Sequence, residues 1–227
     1  MNSLSKALTT FDNQVDMKKT PLPLKPCNYA LVGKKGSGKT TLMLNLLTKK
    51  QSPYYKFFDR IFLISPTARK DDKMKELVDD LEEMGQYFEE LDNEVLQHIL
   101  DVIDSFNEEW KQKKKKGKPA HLLILDDCVH MMKRKSSKLL EQVITQNRHF
   151  NLFNWILIQK WTGYMPTIIR SNLDNISFFR NDNKKELESF LDEMNGNPDE
   201  LRALYDYAVS EPFSFFHINN YGDKPYY

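Results

Sequence analysis

One stretch near the amino terminus constrains the fold more than any other part of the chain. In ALVGKKGSGKTTLMLNLL, residues 30–47, an apolar run, a glycine-rich turn and a segment with helical spacing of leucines follow one another. Within it, GKKGSGKT fits the pattern G-x-x-x-x-G-K-[ST] at every fixed position. Glycines let such a loop wrap phosphates with backbone N–H groups, and the following helix N-terminus favours the anion. The sequence therefore predicts a strand, a phosphate-binding loop and a helix.

The positions of this loop have different expected roles. We expect Lys39 to reach the β and γ phosphates of ATP and the Thr40 hydroxyl to ligate Mg²⁺. The remaining loop positions and the next residue are further nucleotide-binding candidates: Gly33, Lys34, Lys35, Gly36, Ser37, Gly38 and Thr41. Lys34, Lys35 and Thr41 are the loosest of these, because side chains at such positions can equally be solvated.

The rest of the chain alternates between strand-like and helix-like segments. Apolar runs predict buried strands at 28–33, 60–65, 121–127 and 154–159, and weaker ones predict strands at 175–180 and 213–218. Helical periodicity covers 39–49, 73–84, 93–113, 136–147, 184–194 and 198–209. The strong runs lack polar alternation, as expected for a sheet covered on both faces. This pattern predicts an α/β fold with three layers, a mainly parallel central sheet with helices on both faces.

Length and composition limit the organisation of the chain. Its 227 residues suit one sizeable core. We expect a flexible lead-in at 1–25, an ATPase domain at 26–220 and a tail at 221–227. The 33 basic and 32 acidic side chains nearly cancel, so net charge neither favours nor excludes a nucleic-acid partner. The two distant cysteines favour a reducing compartment, and no apolar run reaches membrane-spanning length. We therefore expect a soluble cytoplasmic protein.

Polar side chains end two of the predicted strands. Asp126 and Asp127 follow the apolar run LLIL, and Gln159 follows WILI. Because the carboxyl ends of parallel strands meet at one edge, these side chains should lie beside the phosphate loop. Asp126 suits the Mg²⁺ site, and Asp127 could orient or deprotonate the attacking water. Gln159 could contact the γ phosphate or its water, although a polar residue at a strand end is also an ordinary structural feature.

Two arginines are further candidates for the catalytic site. Arg148 lies upstream of the fourth strong strand, and Arg170 lies downstream of it. A guanidinium that reaches a neighbouring subunit's γ phosphate would supply transition-state charge. A structural salt bridge is the alternative for each of them.

The order of these motifs resembles a known family. VGKKGSGKTT, FLISPT, LLILDD, RHFNLFNWILIQ and PTIIRSNLDNISFFR occur in the order found in poxvirus-type virion DNA-packaging ATPases of the HerA/FtsK superfamily. The resemblance implies a P-loop NTPase of the additional-strand, catalytic-acid type that uses ATP and Mg²⁺. It further implies a homo-oligomeric ring, a hexamer in this family, which pushes double-stranded DNA into a preformed capsid and contacts a capsid or vertex protein. The implied location is the virus factory in the host cytoplasm, or the virion. Gln159 would match the family's sensor glutamine, and the arginine finger could be Arg148 or Arg170.

A translocating motor must hold DNA mainly through its phosphates. Two basic segments are candidates for that contact: KQKKKKGK at 111–118 and KRKSSK at 133–138. Solvated loops are the alternative for both.

Other readings of the phosphate loop stay open at this point. They are a nucleotide kinase or GTPase, and an assembly factor that binds ATP without translocation. The sequence shows neither an N-K-x-D guanine motif nor an arginine-rich lid.

Overall fold

A computed structural model of the chain describes residues 22–128 and 138–220. The strands in these ranges are β1 Asn28–Val32, β2 Arg60–Ile64, β3 Tyr87–Phe88, β4 His121–Asp126, β5 Leu152–Ile158, β6 Asn175–Phe179 and β7 Phe215–Asn219. The α-helices are α1 Lys39–Thr48, α2 Lys75–Glu83, α3 Asn93–Gln112, α4 Lys138–Thr145, α5 Thr167–Arg170, α6 Lys184–Asp192 and α7 Pro198–Ala208. None of these helices combines the length and apolar character needed to cross a membrane.

The strands form one sheet in the order β3-β2-β4-β5-β1-β6-β7. Every neighbouring pair is parallel except β6 and β7, which are antiparallel. Strand β5 lies between β1, which leads into the phosphate loop, and β4, which carries the acidic pair. The predicted α/β fold with a mainly parallel sheet and an additional central strand is therefore confirmed.

The central strands are buried because alternate side chains enter two different cores. In β1, Ala30 and Val32 pack with the faces of α3, α4, α6 and α7, whereas Tyr29 and Leu31 pack with α1 and α2. A strand that is covered on both sides needs apolar residues at every position, which explains the absence of polar alternation in the sequence. The helices on both faces and the sheet between them form the predicted three layers.

The parallel direction of the strands determines where the polar side chains gather. The carboxyl ends of β1, β2, β4 and β5 lie at the same edge of the sheet. The residues that follow these ends are the phosphate loop, Ser65, the pair Asp126–Asp127 and Gln159. This is the edge at which open α/β sheets bind ligands.

A few elements differ from the sequence-based expectation. The short β3, the 3-10 turn Ala68–Lys70 and α5 carry too little periodicity to be recognised. Strand β7 begins at Phe215 rather than at 213, because Phe213 lies in a turn with a φ of 64°. Within the predicted lead-in at 1–25, the carbonyl of Pro23 accepts a hydrogen bond from the Tyr54 hydroxyl at 2.6 Å. The lead-in before residue 22 and the predicted tail at 221–227 lie outside the described residues.

Candidate nucleotide-binding site

The phosphate loop has the backbone that its glycines allow. Gly36 and Gly38 have φ values of 79° and 108°, in the left-handed region that costs other residues about 1–2 kcal/mol. Gly33 is needed for a different reason: a Cβ there would lie 2.6 Å from Ser37 Oγ and 2.7 Å from Phe179 Cβ. The loop ends at Gly38, the N-cap of α1, so it leads directly into a helix N-terminus whose free N–H groups favour an anion.

Lys39 is the buried cation of the site. It is 9% exposed, and its Nζ donates to the carbonyl oxygens of Gly33 at 2.6 Å and of Lys34 at 3.1 Å. Burial lowers the pKa of Lys39, whereas the nearby Asp126 and Asp127 carboxylates act in the opposite direction. Its ammonium group is thus held inside the loop and coupled to the acidic pair, as expected for a group that binds phosphate oxygens.

Asp126 ends β4 as a partly buried carboxylate beside the loop. Its Oδ2 accepts a hydrogen bond from Ser65 Oγ at 3.0 Å. Burial raises the pKa of Asp126 to about 6; the Ser65 hydrogen bond opposes this rise and the Asp127 charge adds to it. The carboxylate therefore sits where a nearby positive charge would favour its ionised form.

Ser65 is a residue of the candidate site that sequence reasoning missed. It follows β2, is completely buried, and its Oγ also accepts from the backbone N–H groups of Thr67 and Ala68, at 3.3 and 3.1 Å. These two bonds fix the hydroxyl so that its proton points at Asp126. The sequence signal that could have identified Ser65 is its position as a polar residue directly after the apolar run RIFLI.

Asp127 and Gln159 are in direct contact. Gln159 Nε2 donates to Asp127 Oδ1 at 3.2 Å. Asp127 has a φ of 53°, and its backbone N–H donates to the Leu157 carbonyl at 3.2 Å. The left-handed backbone turns the chain out of β4 directly after Asp126, so the two adjacent acids need not point to opposite faces. The structure thus brings together residues that are 32 positions apart in the sequence.

The oxygen atoms at this edge fit a magnesium ion. Thr40 is half-buried as the second residue of α1, and Asp126, at the end of β4, is close enough to the neighbouring Lys39 to act on its pKa. Within 22–128 and 138–220, no three His, Cys, Asp or Glu side chains form a metal-binding group. Mg²⁺ in phosphate sites commonly uses one or two protein oxygens together with substrate phosphates and water. A hydroxyl and a carboxylate whose pKa is raised therefore fit this ion.

The looser loop positions are solvent-facing. Lys35 and Thr41 are exposed, and the exposed Lys34 forms an ion pair with Asp182. An exposed ion pair of this kind contributes little stability.

The two candidate arginines lie in different places. Arg148 precedes β5, and its Nη2 is 3.7 Å from Asp174 Oδ1, directly before β6, so both lie at the amino ends of parallel strands. Seven residues of β5 separate this edge from the phosphate loop, about 20 Å. Arg148 therefore does not reach the phosphates of its own subunit. Its contact with Asp174 is that of the structural alternative, and the finger role would require a neighbouring subunit's nucleotide.

Arg170 is held within its own subunit. Its Nε donates to Glu193 Oε2 at 2.9 Å, its Nη1 donates to the Met165 carbonyl at 2.8 Å, and its side chain is 16% exposed. The guanidinium also lies 5.8 Å from the Trp161 ring centroid. These contacts are those of a structural salt bridge, which is the alternative to a catalytic role for Arg170.

The basic segment at 111–118 lies away from the sheet edge that carries the phosphate loop. At the end of α3, Lys111 pairs with Glu108, Lys113 pairs with Glu109, and Lys115 Nζ lies 4.1 Å from the Trp110 ring centroid. This end of α3 precedes β4, at the edge opposite the loop. The segment 133–138 lies outside the described residues except for Lys138, the exposed first residue of α4.

Comparisons with known proteins agree with the motif resemblance. The family described as Poxvirus A32 protein matches residues 14–204. Uncharacterized protein 075L of Invertebrate iridescent virus 6 is 26% identical over 159 residues, which is 70% of this chain and 56% of that protein. The chain thus spans about half the length of this curated relative.

Solved structures share the fold at low sequence identity. The genome packaging NTPase B204 of Sulfolobus turreted icosahedral virus 2, in complex with AMPPCP, superposes with a TM-score of 0.57 at 18% identity. That match covers 88% of this chain and 94% of that one. The pCW3 conjugation coupling protein TcpA, with ATPgS, gives 0.60 at 12% identity over 87% of this chain and 58% of that one. The fold is therefore that of P-loop ATPases.

Proposed function

The chain belongs to the Poxvirus A32 protein family, and on this premise we propose that it is an ATP-hydrolysing motor that translocates double-stranded viral DNA into a preformed capsid. One observation carries the proposal: the contact between Gln159 and Asp127, beside Asp126 and the buried Lys39. Nucleotide binding alone would need the loop and a metal ligand. Hydrolysis requires in addition a group that orients or deprotonates the attacking water, and Asp127, held by the Gln159 amide, is placed to do this.

The loop would hold the triphosphate through its backbone and Lys39. The N–H groups at the start of α1 face the phosphates, and the Lys39 ammonium would exchange its bonds to the Gly33 and Lys34 carbonyls for phosphate oxygens. Thr40 and Asp126 would hold Mg²⁺, which when bound neutralises the charge that develops on the phosphates. Ser65 keeps the Asp126 carboxylate in the orientation needed for this.

Asp127 would act on the attacking water. Its Oδ1 is held by the Gln159 amide, which leaves Oδ2 to accept a proton from a water in line with the γ phosphate. The carbonyl oxygen of Gln159 could accept from the same water and so report whether the γ phosphate is intact. Loss of that phosphate would change the Gln159–Asp127 contact, and this change would be passed to DNA through β5.

The assembled protein would be a homo-oligomeric ring, with a hexamer as its expected size, that holds DNA without regard to sequence. The exposed Arg148 lies at the edge opposite its own loop, so as an arginine finger it would act on a neighbour's nucleotide. The remaining partner would be a capsid or vertex protein, with the virus factory in the host cytoplasm as the site of action. We assign residues 26–220 to the ATPase domain.

ATP hydrolysis by the purified protein, with and without long linear double-stranded DNA, tests this proposal. We expect DNA to stimulate hydrolysis, with larger effects at low salt because the contacts are to phosphates, and sedimentation should show a ring in the presence of ATP. Asp127→Asn is the matched control, since it keeps the shape and the Gln159 contact but removes the base. A monomer that transfers phosphate to a small acceptor, or hydrolysis indifferent to DNA at every salt concentration, would refute the motor.

A further inference from the structure

Phe213 occupies a turn position at which a phenylalanine is unusual. The backbone N–H of Ser214 donates to the Glu211 carbonyl at 3.3 Å, which closes a four-residue turn with Pro212 second and Phe213 third. Phe213 has a φ of 64°, a value that third position takes in type II turns, where glycine or asparagine is usual. A bulky side chain in the left-handed region is strained. Strain of this kind is found mainly at functional sites.

The ring of Phe213 is exposed although it is large and apolar. It is 72% exposed, yet it lies directly against the phosphate loop. A Cβ built on Gly38 would meet Phe179 Cε1 at 3.5 Å and Phe213 Cδ1 at 3.6 Å. The turn therefore holds an aromatic surface beside the N-cap of α1, where it can be covered only by something that binds there.

The sheet order determines which part of a nucleotide would reach this ring. Asp126, Asp127 and Gln159 follow β4 and β5, on one side of β1, so the γ phosphate belongs on that side. Phe213 precedes β7 and Phe179 ends β6, on the other side of β1. A nucleotide whose γ phosphate lies beside the acidic pair therefore extends its nucleoside toward β6 and β7.

A cavity of about 290 Å³ lies on this side of the sheet, between the segment after β6 and the face of α7; neither Phe213 nor a residue of the phosphate loop is part of its lining. Its lining includes Arg180, Tyr205 and Asp182, and the last of these pairs with Lys34 of the phosphate loop.

We propose that Phe213 is the base-stacking residue of the nucleotide site: its ring packs on the face of the nucleobase while the loop holds the phosphates. The inference rests on the proposed function only in requiring that the loop binds a nucleoside triphosphate. Stacking of a base on an aromatic ring tolerates different bases, because each has a π face. Phe213 would thus add affinity for nucleosides over bare polyphosphate.

Calorimetric titration with ATP and with inorganic tripolyphosphate, each with Mg²⁺, tests the assignment. Tripolyphosphate engages the loop but has no base. We expect Phe213→Ala to weaken ATP binding by about tenfold to a hundredfold and to change tripolyphosphate binding by less than about twofold. Phe213→Trp should retain ATP affinity. Phe213→Gly should lose it while the melting temperature stays at or near the wild-type value, because glycine adopts a φ of 64° without strain.

The exposed Tyr207 of α7 offers a matched control. Tyr207→Ala removes a comparable aromatic ring from the same region and should leave both affinities unchanged. Equal weakening of ATP and tripolyphosphate by Phe213→Ala, or no weakening of ATP, would overturn the assignment of Phe213 alone. Failure of the wild-type protein to bind ATP would refute the proposed function and the stacking role together.

Discussion

Replacing Asp126 by asparagine should stabilise the folded protein while it abolishes ATP hydrolysis. Burial raises the pKa of this carboxyl from 3.8 to about 6, a rise that the Ser65 hydrogen bond opposes and the charge of Asp127 reinforces. The folded state therefore binds the proton more tightly than the unfolded state. The stability that the proton provides is complete below about pH 3.8 and is lost as the pH rises through about 6.

The size of the effect follows from this shift. A difference of about two pKa units corresponds to about 3 kcal/mol at pH 8, and to about 1.5 kcal/mol at pH 5, where part of the folded protein is still protonated. Asparagine carries no charge at either pH, and its carbonyl oxygen can still accept from Ser65. Part of the gain will be lost because Lys39 is deprived of a favourable partner. We expect a net gain of about 1–3 kcal/mol at pH 8 that is smaller at pH 5.

Urea denaturation of both proteins at the two pH values, without nucleotide, measures this difference. Asp182→Asn is the matched control: Asp182 is exposed and its pKa is lowered by Lys34, so its removal should not stabilise the protein as the pH rises. ATPase activity should fall by at least about a hundredfold in Asp126→Asn, because the proposed Mg²⁺ site would lose its carboxylate. A gain that does not depend on pH, or destabilisation at pH 8, would refute the argument that burial strains the ionised carboxylate.

Four further substitutions test other residues of the protein. Gln159→Ala should lower kcat about tenfold or more with little change in ATP affinity, because the alignment of Asp127 and the contact with the attacking water are lost; an unchanged rate constant in a single-turnover assay would show that the contact is incidental. Gly33→Ala should destabilise the protein by about 1–3 kcal/mol, since the added Cβ would make two contacts below 3 Å, and thermal unfolding measures this. Arg170→Ala should lower the free energy of unfolding by about 1.5–3 kcal/mol through the loss of its charged hydrogen bonds. Arg148→Ala, at a 67% exposed side chain, should change it by less than about 0.5 kcal/mol. If Arg148 is the finger in trans, mixing Arg148→Ala with Asp127→Asn subunits should restore activity at shared interfaces, and complete inactivity of the mixture would argue against that role.

The sequence was sufficient for the fold class because the strands are buried on both faces. Their uninterrupted apolar runs stand out from the helical periodicity around them, and the strand-like runs correspond to β1, β2, β4, β5, β6 and β7 in the structure. The two-residue β3 and the four-residue α5 were missed because such short elements have no measurable period. Strand order could not be read from the residue pattern, and only the family resemblance implied an additional central strand, since the order depends on which helix crosses which face of the sheet.

Some residues of the candidate site could be recognised from the sequence and others could not. The phosphate loop, Asp126, Asp127 and Gln159 were recognisable because their roles depend on residue type at a strand end, and that position is a local property of the chain. Ser65 was not recognised, because a serine after a strand acquires a role only when β2 and β4 are neighbours.

By itself the sequence determined the helices and strands, their direction and the chemistry of the loop, because backbone conformation and burial depend on local patterns of residue type. Only the tertiary structure decided that β5 lies between β1 and β4, so that Gln159 reaches Asp127. It alone placed Arg148 at the far edge and Phe213 against Gly38. Contacts between residues far apart in the chain arise from packing, and no local pattern encodes them.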